Sequence, residues 1–144
     1  RLFRRDGDGK NGGITDEELK IPDYRLFRRD RDGKNGGVAV YVREELMVTR
    51  RDDLEIDMVE ALWLEVSLPK SRGFLVGNFY RPDCSSKYYD KDFMTKLYNM
   101  LDIVVTENKE LIVLGDFNCC FVPYERSNTD CETEIKGFVQ ILGS

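Results

Sequence analysis

Three observations predict a mixed α/β (α+β) fold. Leu62, Leu64, Val66 and Leu68 alternate with Ala61, Trp63, Glu65 and Ser67, Phe93 through Val104 carries apolar residues at helical spacing, and Leu111-Ile-Val-Leu114 is an unbroken apolar run. Strand patterns interleaved with helix patterns over the second half of a chain imply this class, with a mixed sheet. At 144 residues there is chain enough for one domain with a real core, burying about two thirds of the surface it exposes unfolded. A composition of 41% hydrophobic and 34% charged residues is that of a globular protein, too apolar for a disordered tail.

Taken in order, the chain begins with a repeat. Arg1-Leu-Phe-Arg-Arg-Asp-Gly-Asp-Gly-Lys-Asn-Gly-Gly13 recurs as Arg25-Leu-Phe-Arg-Arg-Asp-Arg-Asp-Gly-Lys-Asn-Gly-Gly37, differing only at Gly7 against Arg31. Solenoid repeats diverge and need at least three units to bury a core, so two near-identical copies point to a recent duplication or a gene-model error. The second copy runs into Val38-Ala-Val-Tyr-Val42, an alternating β-branched run. It is therefore the native context: strand Tyr24–Arg29, a Gly-rich turn, then strand Val38–Val42. The first copy, residues 1–13, is expected to be poorly ordered. It runs into a helical turn in which Thr15 and Glu18 stand at capping-box spacing.

Residues 61–68 read as a half-buried strand, and Gly73–Tyr80 as a second one that closes a hairpin across the break at Pro69–Arg72. Phe93, Leu97, Met100, Leu101 and Val104 predict a helix, with Asp90 as its N-cap. Leu111–Leu114 has the wholly apolar character of a central strand covered on both faces. Ile135, Phe138, Val139 and Leu142 suggest a last helix.

The formal charge is −5 and the sequence pI about 4.9. A domain that grips DNA chiefly through phosphate contacts is usually basic, whereas acidic ligands with a bound cation can still meet a phosphodiester. The chain contains no histidine. This excludes His–Ser and His–Cys nucleophilic pairs, most zinc sites, and histidine as general acid or base. Cys84, Cys119, Cys120 and Cys131 form no CxxC pair, which disfavours zinc. No signal peptide or membrane-length apolar run is evident, and reduced intracellular thiols are the plainer reading.

The segment richest in chemistry is Leu111-Ile-Val-Leu-Gly-Asp-Phe-Asn118. A buried strand there delivers a carboxylate and a carboxamide two residues apart, and Asp116 and Asn118 share a side if the chain stays extended. Gly115 admits a close neighbour. Such a pair suits phosphodiester cleavage: the acid orients or deprotonates water or binds metal, and the amide donates to a non-bridging oxygen. The plain alternative is an Asx-type turn with both side chains satisfying backbone groups. In Gly77-Asn-Phe-Tyr-Arg-Pro82, Tyr80 at a strand end can direct its hydroxyl into a cleft, or simply cap a core edge. Arg81 could contact phosphate, but a lone exposed arginine is more often a solvated charge.

In combination, the order Asp30 through Val42, Glu60-Ala-Leu-Trp-Leu-Glu-Val66, Phe79-Tyr-Arg-Pro82, Phe93 through Leu101 and Gly-Asp-Phe-Asn118 resembles one family. This is the endonuclease/exonuclease/phosphatase superfamily, and the phrasing is closest to the endonuclease domains of LINE-type retrotransposons. The resemblance spans about residues 15–142. It implies a four-layered α/β sandwich of the deoxyribonuclease type, incomplete at both ends, over residues 14–144, and Mg²⁺-assisted nicking of DNA. By the resemblance Asp116 matches the aspartate that activates water or binds metal, Asn118 the asparagine on the scissile phosphate, and Tyr80 the phosphate-bonding tyrosine. It also implies DNA as partner, a downstream reverse transcriptase or the missing parts of the domain in a longer product, a monomer, and a place in nucleus or cytoplasm without membrane attachment. Two departures stand out. The Thr-Glu-Thr-like stretch with its metal-binding glutamate is not found upstream of Ile14, and the late Asp-His pair is missing. The chain as written is therefore expected to be inactive and marginally stable.

Two rival readings come from other classes. Asp6 through Glu18 looks like an EF-hand calcium loop, but it is one residue too long and no entering helix precedes it. A non-catalytic interaction protein on the same scaffold could use Arg25, Arg28, Arg29 and Arg31 as a nucleic-acid patch, although such a run is more often a solvated surface.

Overall fold

In the computed structural model, residues 14–31 and 36–118 are described. Their elements are β1 (Tyr24–Asp30), β2 (Gly37–Arg43), β3 (Met47–Arg50), a 3₁₀ turn (Asp52–Leu54), β4 (Glu60–Ser67), β5 (Phe74–Tyr80), α1 (Phe93–Val105) and β6 (Glu110–Asp116). The mixed α+β class therefore holds. β1 and β2 pair antiparallel as a two-stranded sheet, and β3-β4-β5-β6 form a second sheet in that order. Its first two pairings are antiparallel and the last, β5 with β6, is parallel. A parallel neighbour requires a crossover, and α1 supplies it. No helix among the described residues is long and apolar enough to cross a membrane.

The larger sheet carries a different cover on each face. Ala61, Trp63, Leu75 and Phe79 pack under Phe93, Leu97, Met100, Leu101 and Val104 of α1, with Leu111, Val113 and Phe117 at the margin. Trp63 meets Phe79 edge to face at 5.4 Å, and its indole Nε1–H donates to the Met100 sulfur at 2.8 Å. On the opposite face Leu62 and Leu64 are buried beneath Val38, Val42, Phe27 and Val40 of the β1–β2 hairpin. Among the described residues this makes three layers: helix, sheet, hairpin.

Several expectations are met. The strands at 24–29 and 38–42 form a hairpin, 61–68 and 73–80 form another, and α1 covers the anticipated span. Thr15 and Glu18 bond reciprocally: the Glu18 carboxylate accepts from the Thr15 N–H at 2.9 Å, and the Glu18 N–H points at the Thr15 hydroxyl at 3.4 Å. Residues 1–13 and the suggested last helix lie outside the described residues.

Three expectations are corrected. The middle of β4 is buried on both faces rather than half-buried, because the helix covers its odd-numbered residues and the hairpin its even-numbered ones. β6 is not central: it ends the sheet among the described residues, and Ile112 and Leu114 are 43% and 48% exposed. A wholly apolar run shows that burial on both faces is possible, not that both covers are in place. Asp90 is not the N-cap of α1. That position is Asp92, whose side chain makes no capping bond, while the Asp90 carboxylate accepts from the Asp92 N–H at 2.9 Å and pairs with Lys96. The Lys96 ammonium holds the Asp90 carboxyl below its ordinary range.

Candidate functional site

Strand register assembles the site. Glu60 of β4 is the partner of Tyr80 in β5, and Tyr80 is the partner of Asp116 in β6. Register partners share a face, so the three side chains form one row across three strands at the same end of the sheet. The row lies on the hairpin face, where Tyr80 packs beside Leu62 and Leu64. Residues 36 positions apart in the chain, Tyr80 and Asp116, thereby become neighbours.

The backbone locks this end together. The Arg81 N–H donates to the Asp116 carbonyl at 2.8 Å, which carries the β5–β6 pairing one step past Tyr80. Gly115 makes the approach possible. Its φ is +148°, and a Cβ there would lie 2.1 Å from the Phe79 carbonyl oxygen, closer than any side chain can come.

Asn118 does not continue an extended strand beside Asp116. It sits in the left-handed region at φ +44°, its N–H donates to Asp116 Oδ1 at 3.1 Å, and its Nδ2 donates to the Arg81 carbonyl at 2.7 Å. The local form is thus the Asx-type turn. The extended course on which a shared side for Asp116 and Asn118 depended is not taken, because the chain turns immediately after β6. That turn returns Asn118 to the Tyr80-Arg81-Pro82 corner. The three predicted site residues Tyr80, Asp116 and Asn118 are therefore brought together, each of them half-buried.

Arg81 is a further correction. Rather than an exposed charge it is 5% exposed, with its guanidinium 5.7 Å from the Tyr89 ring centroid and 5.9 Å from that of Phe93. It links the 81–92 segment to the start of α1.

Two neighbours of the site had no local signal in the sequence. Arg31, at the end of β1, donates from Nε and Nη2 to Glu60 Oε1 at 2.7 and 2.5 Å. Its guanidinium lies 4.3 Å from the Tyr88 ring centroid and 5.9 Å from that of Tyr80. Glu60 Oε2 is buried without a hydrogen-bond partner. The β4–β5 register sets this carboxylate beside Tyr80, and the contact between the hairpin and the larger sheet brings the cation to both. The one detectable hint was that Arg31 is the residue distinguishing the two repeat copies.

The described residues do not by themselves fit a divalent metal. No group of three or more His, Cys, Asp or Glu among them could hold one. Asp116 is a single carboxylate already accepting from Asn118, and the nearest acid in the row, Glu60, is engaged by Arg31 two strands away, about 10 Å between backbones. The calcium-loop residues 6–13 lie outside the described residues. Arg25, Arg28, Arg29 and Arg31 do not form a bare basic patch. Arg25 donates to the Leu46 carbonyl, Arg28 pairs with Asp16 and Asp30, Arg29 donates to the Ala61 and Ile56 carbonyls, and Arg31 pairs with Glu60.

No protein-family model, no curated protein and no solved structure matches this chain.

Proposed function

We propose that residues 24–118 are part of a phosphodiesterase domain of the endonuclease/exonuclease/phosphatase type, with a retrotransposon endonuclease as the closest resemblance and DNA as the substrate. The observation that carries this reading is the convergence of Tyr80, Asp116 and Asn118 at one sheet end, reached through strand register and a tight turn from two separate stretches of sequence. Asp116 is the group that orients water, Asn118 and Tyr80 are the groups that face the phosphodiester oxygens, and the Arg31–Glu60 pair lies beside Tyr80. A four-layered sandwich belongs to the same proposal. It needs a further layer outside the β1–β2 hairpin and cover for Ile112 and Leu114. Mg²⁺ belongs to it through the resemblance, and it needs carboxylates beyond those described here. The resemblance calls for a histidine that the sequence does not contain, and within this reading the described residues orient a phosphodiester without supplying the whole catalytic set.

Titration of the 144-residue chain with a short DNA duplex in magnesium chloride, followed through amide resonances, tests the site. Shifts concentrated at Tyr80, Arg81, Asp116 and Asn118 are expected. A response spread over the acidic surface, or none at millimolar duplex, would sink the assignment. In a form extended to the full domain, Asp116→Ala should lower nicking by about a thousandfold or more and leave the thermal transition in place.

A further inference from the structure

Arg31 stands where the β1–β2 hairpin meets the row of Glu60, Tyr80 and Asp116. Its backbone N–H donates to the Gly36 carbonyl at 3.1 Å, which ties it to the start of β2. Three neighbours then fix the guanidinium. Nε and Nη2 both reach Glu60 Oε1, the Tyr88 ring centroid is 4.3 Å away, and Gly36 lies so close that a Cβ there would be 3.1 Å from Cζ. The same guanidinium is 5.9 Å from the Tyr80 ring centroid. Tyr80 is flanked across the sheet by Glu60 on one side and Asp116 on the other.

A cation in this place can contact a phosphate itself or hold the tyrosine that does. Charge and burial decide between the two. The Arg31 and Glu60 side chains are only 17% and 16% exposed, and they neutralise each other. A guanidinium that left for a phosphate would take the partner from Glu60 Oε1, when Oε2 is already buried without one. Unpairing a carboxylate in so sheltered a place costs more than a solvated phosphate contact returns. The planar fork is suited to the other task, because it binds a carboxylate edge-on and offers its faces to rings, which an ammonium cannot do.

We propose that Arg31 is a positioning residue: locked by Glu60, Tyr88 and Gly36, it holds the Tyr80 ring where the hydroxyl meets a phosphodiester oxygen, and it does not touch the phosphate. This inference rests on the phosphodiesterase reading.

The test is a mutant cycle on the 144-residue chain, with affinity for a short DNA duplex measured in magnesium chloride over a range of added sodium chloride. Tyr80→Phe and Arg31→Met should each weaken binding about three- to tenfold, the worth of one hydrogen bond. Together they should weaken it no more than either alone, since Arg31 acts through the hydroxyl that Tyr80→Phe removes. The salt slope should stay the same in Arg31→Met, whereas loss of a direct phosphate contact would lower it by about one. Arg31→Lys keeps the charge and loses the fork, so it should be as weak as Arg31→Met. Amide resonances of the register partners Leu26 and Tyr41 report that the hairpin stays folded, and if Arg31→Met opens it the Arg31→Lys cycle decides. Additive losses, a reduced salt slope or rescue by lysine would overturn the proposal. So would full affinity in both Arg31 variants beside a weakened Tyr80→Phe, which leaves the phosphodiesterase reading standing. An unchanged affinity in Tyr80→Phe would instead remove Tyr80 from that reading and the proposal with it.

Discussion

The two faces of the four-stranded sheet are built from the same strands and are covered to different extents. On the helix face, α1 lies over β4, β5 and the inner side of β6, and Trp63, Phe79, Leu75 and Leu97 have no solvent contact. On the other face the hairpin shelters Leu62 and Leu64, while Ile112 and Leu114 of β6 remain exposed. A single helix suffices for the first face because it crosses from β5 to β6. A two-stranded hairpin is too narrow for the second, and what it leaves bare lies next to Asp116. The more completely covered face is thus the one that does not carry Tyr80 and Asp116.

Mutations can break or sharpen that contrast. The largest loss is expected for Trp63→Ala, about 3–5 kcal/mol, since it removes the ring that joins Phe79 to Met100. Gly77→Val follows, at about 2–3 kcal/mol, because a Cβ at Gly77 would sit 2.6–2.7 Å from the Phe79 and Trp63 rings. Leu62→Ala, on the hairpin face, should cost about 2 kcal/mol. Denaturant unfolding of the three variants orders them, and a Leu62→Ala loss equal to that of Trp63→Ala would show the faces to be energetically alike. Ile112→Thr should change stability by under about 0.5 kcal/mol while raising solubility. A clear loss of stability there would mean that the exposed face has a cover.

The smallest effect is electrostatic. Lys109 and Arg51 hold the Glu65 carboxyl below its ordinary 4.5, and Lys96 holds Asp90 below 3.8. Both groups titrate lower when folded, so their contribution is complete above those ordinary values and is lost as the pH falls beneath them through the folded values. A decline of under about 1 kcal/mol per pair is expected below pH 4.5, shrinking in high salt because the pairs are partly exposed. Glu65→Gln should flatten part of that slope, and a slope unaffected by salt would count against the assignment.

Most of the fold was legible because periodicity reports which residues can be buried. β1, β2, β4, β5 and α1 lie where alternation and helical spacing put them. Periodicity does not report what does the covering. That is why β4 was read as half-buried and turned out covered twice, and why the run 111–114 was read as covered twice and is covered once. At the site, Asp116, Asn118 and Tyr80 were recognisable by residue type, but their adjacency arises from the parallel register of β5 and β6, which no local pattern encodes. Arg81 misled for the same reason: its charge suggested solvent, while the rings of Tyr89 and Phe93, eight and twelve residues on, enclose it.

Trp63 is the only tryptophan in the chain, and its indole lies against the Met100 thioether on the helix side. Intrinsic emission is therefore a one-sided witness: it follows the seating of α1 and says little of whether the hairpin has opened. A fluorescence melt and a probe placed on β2 need not coincide, and the gap between them would measure how independently the two covers come off.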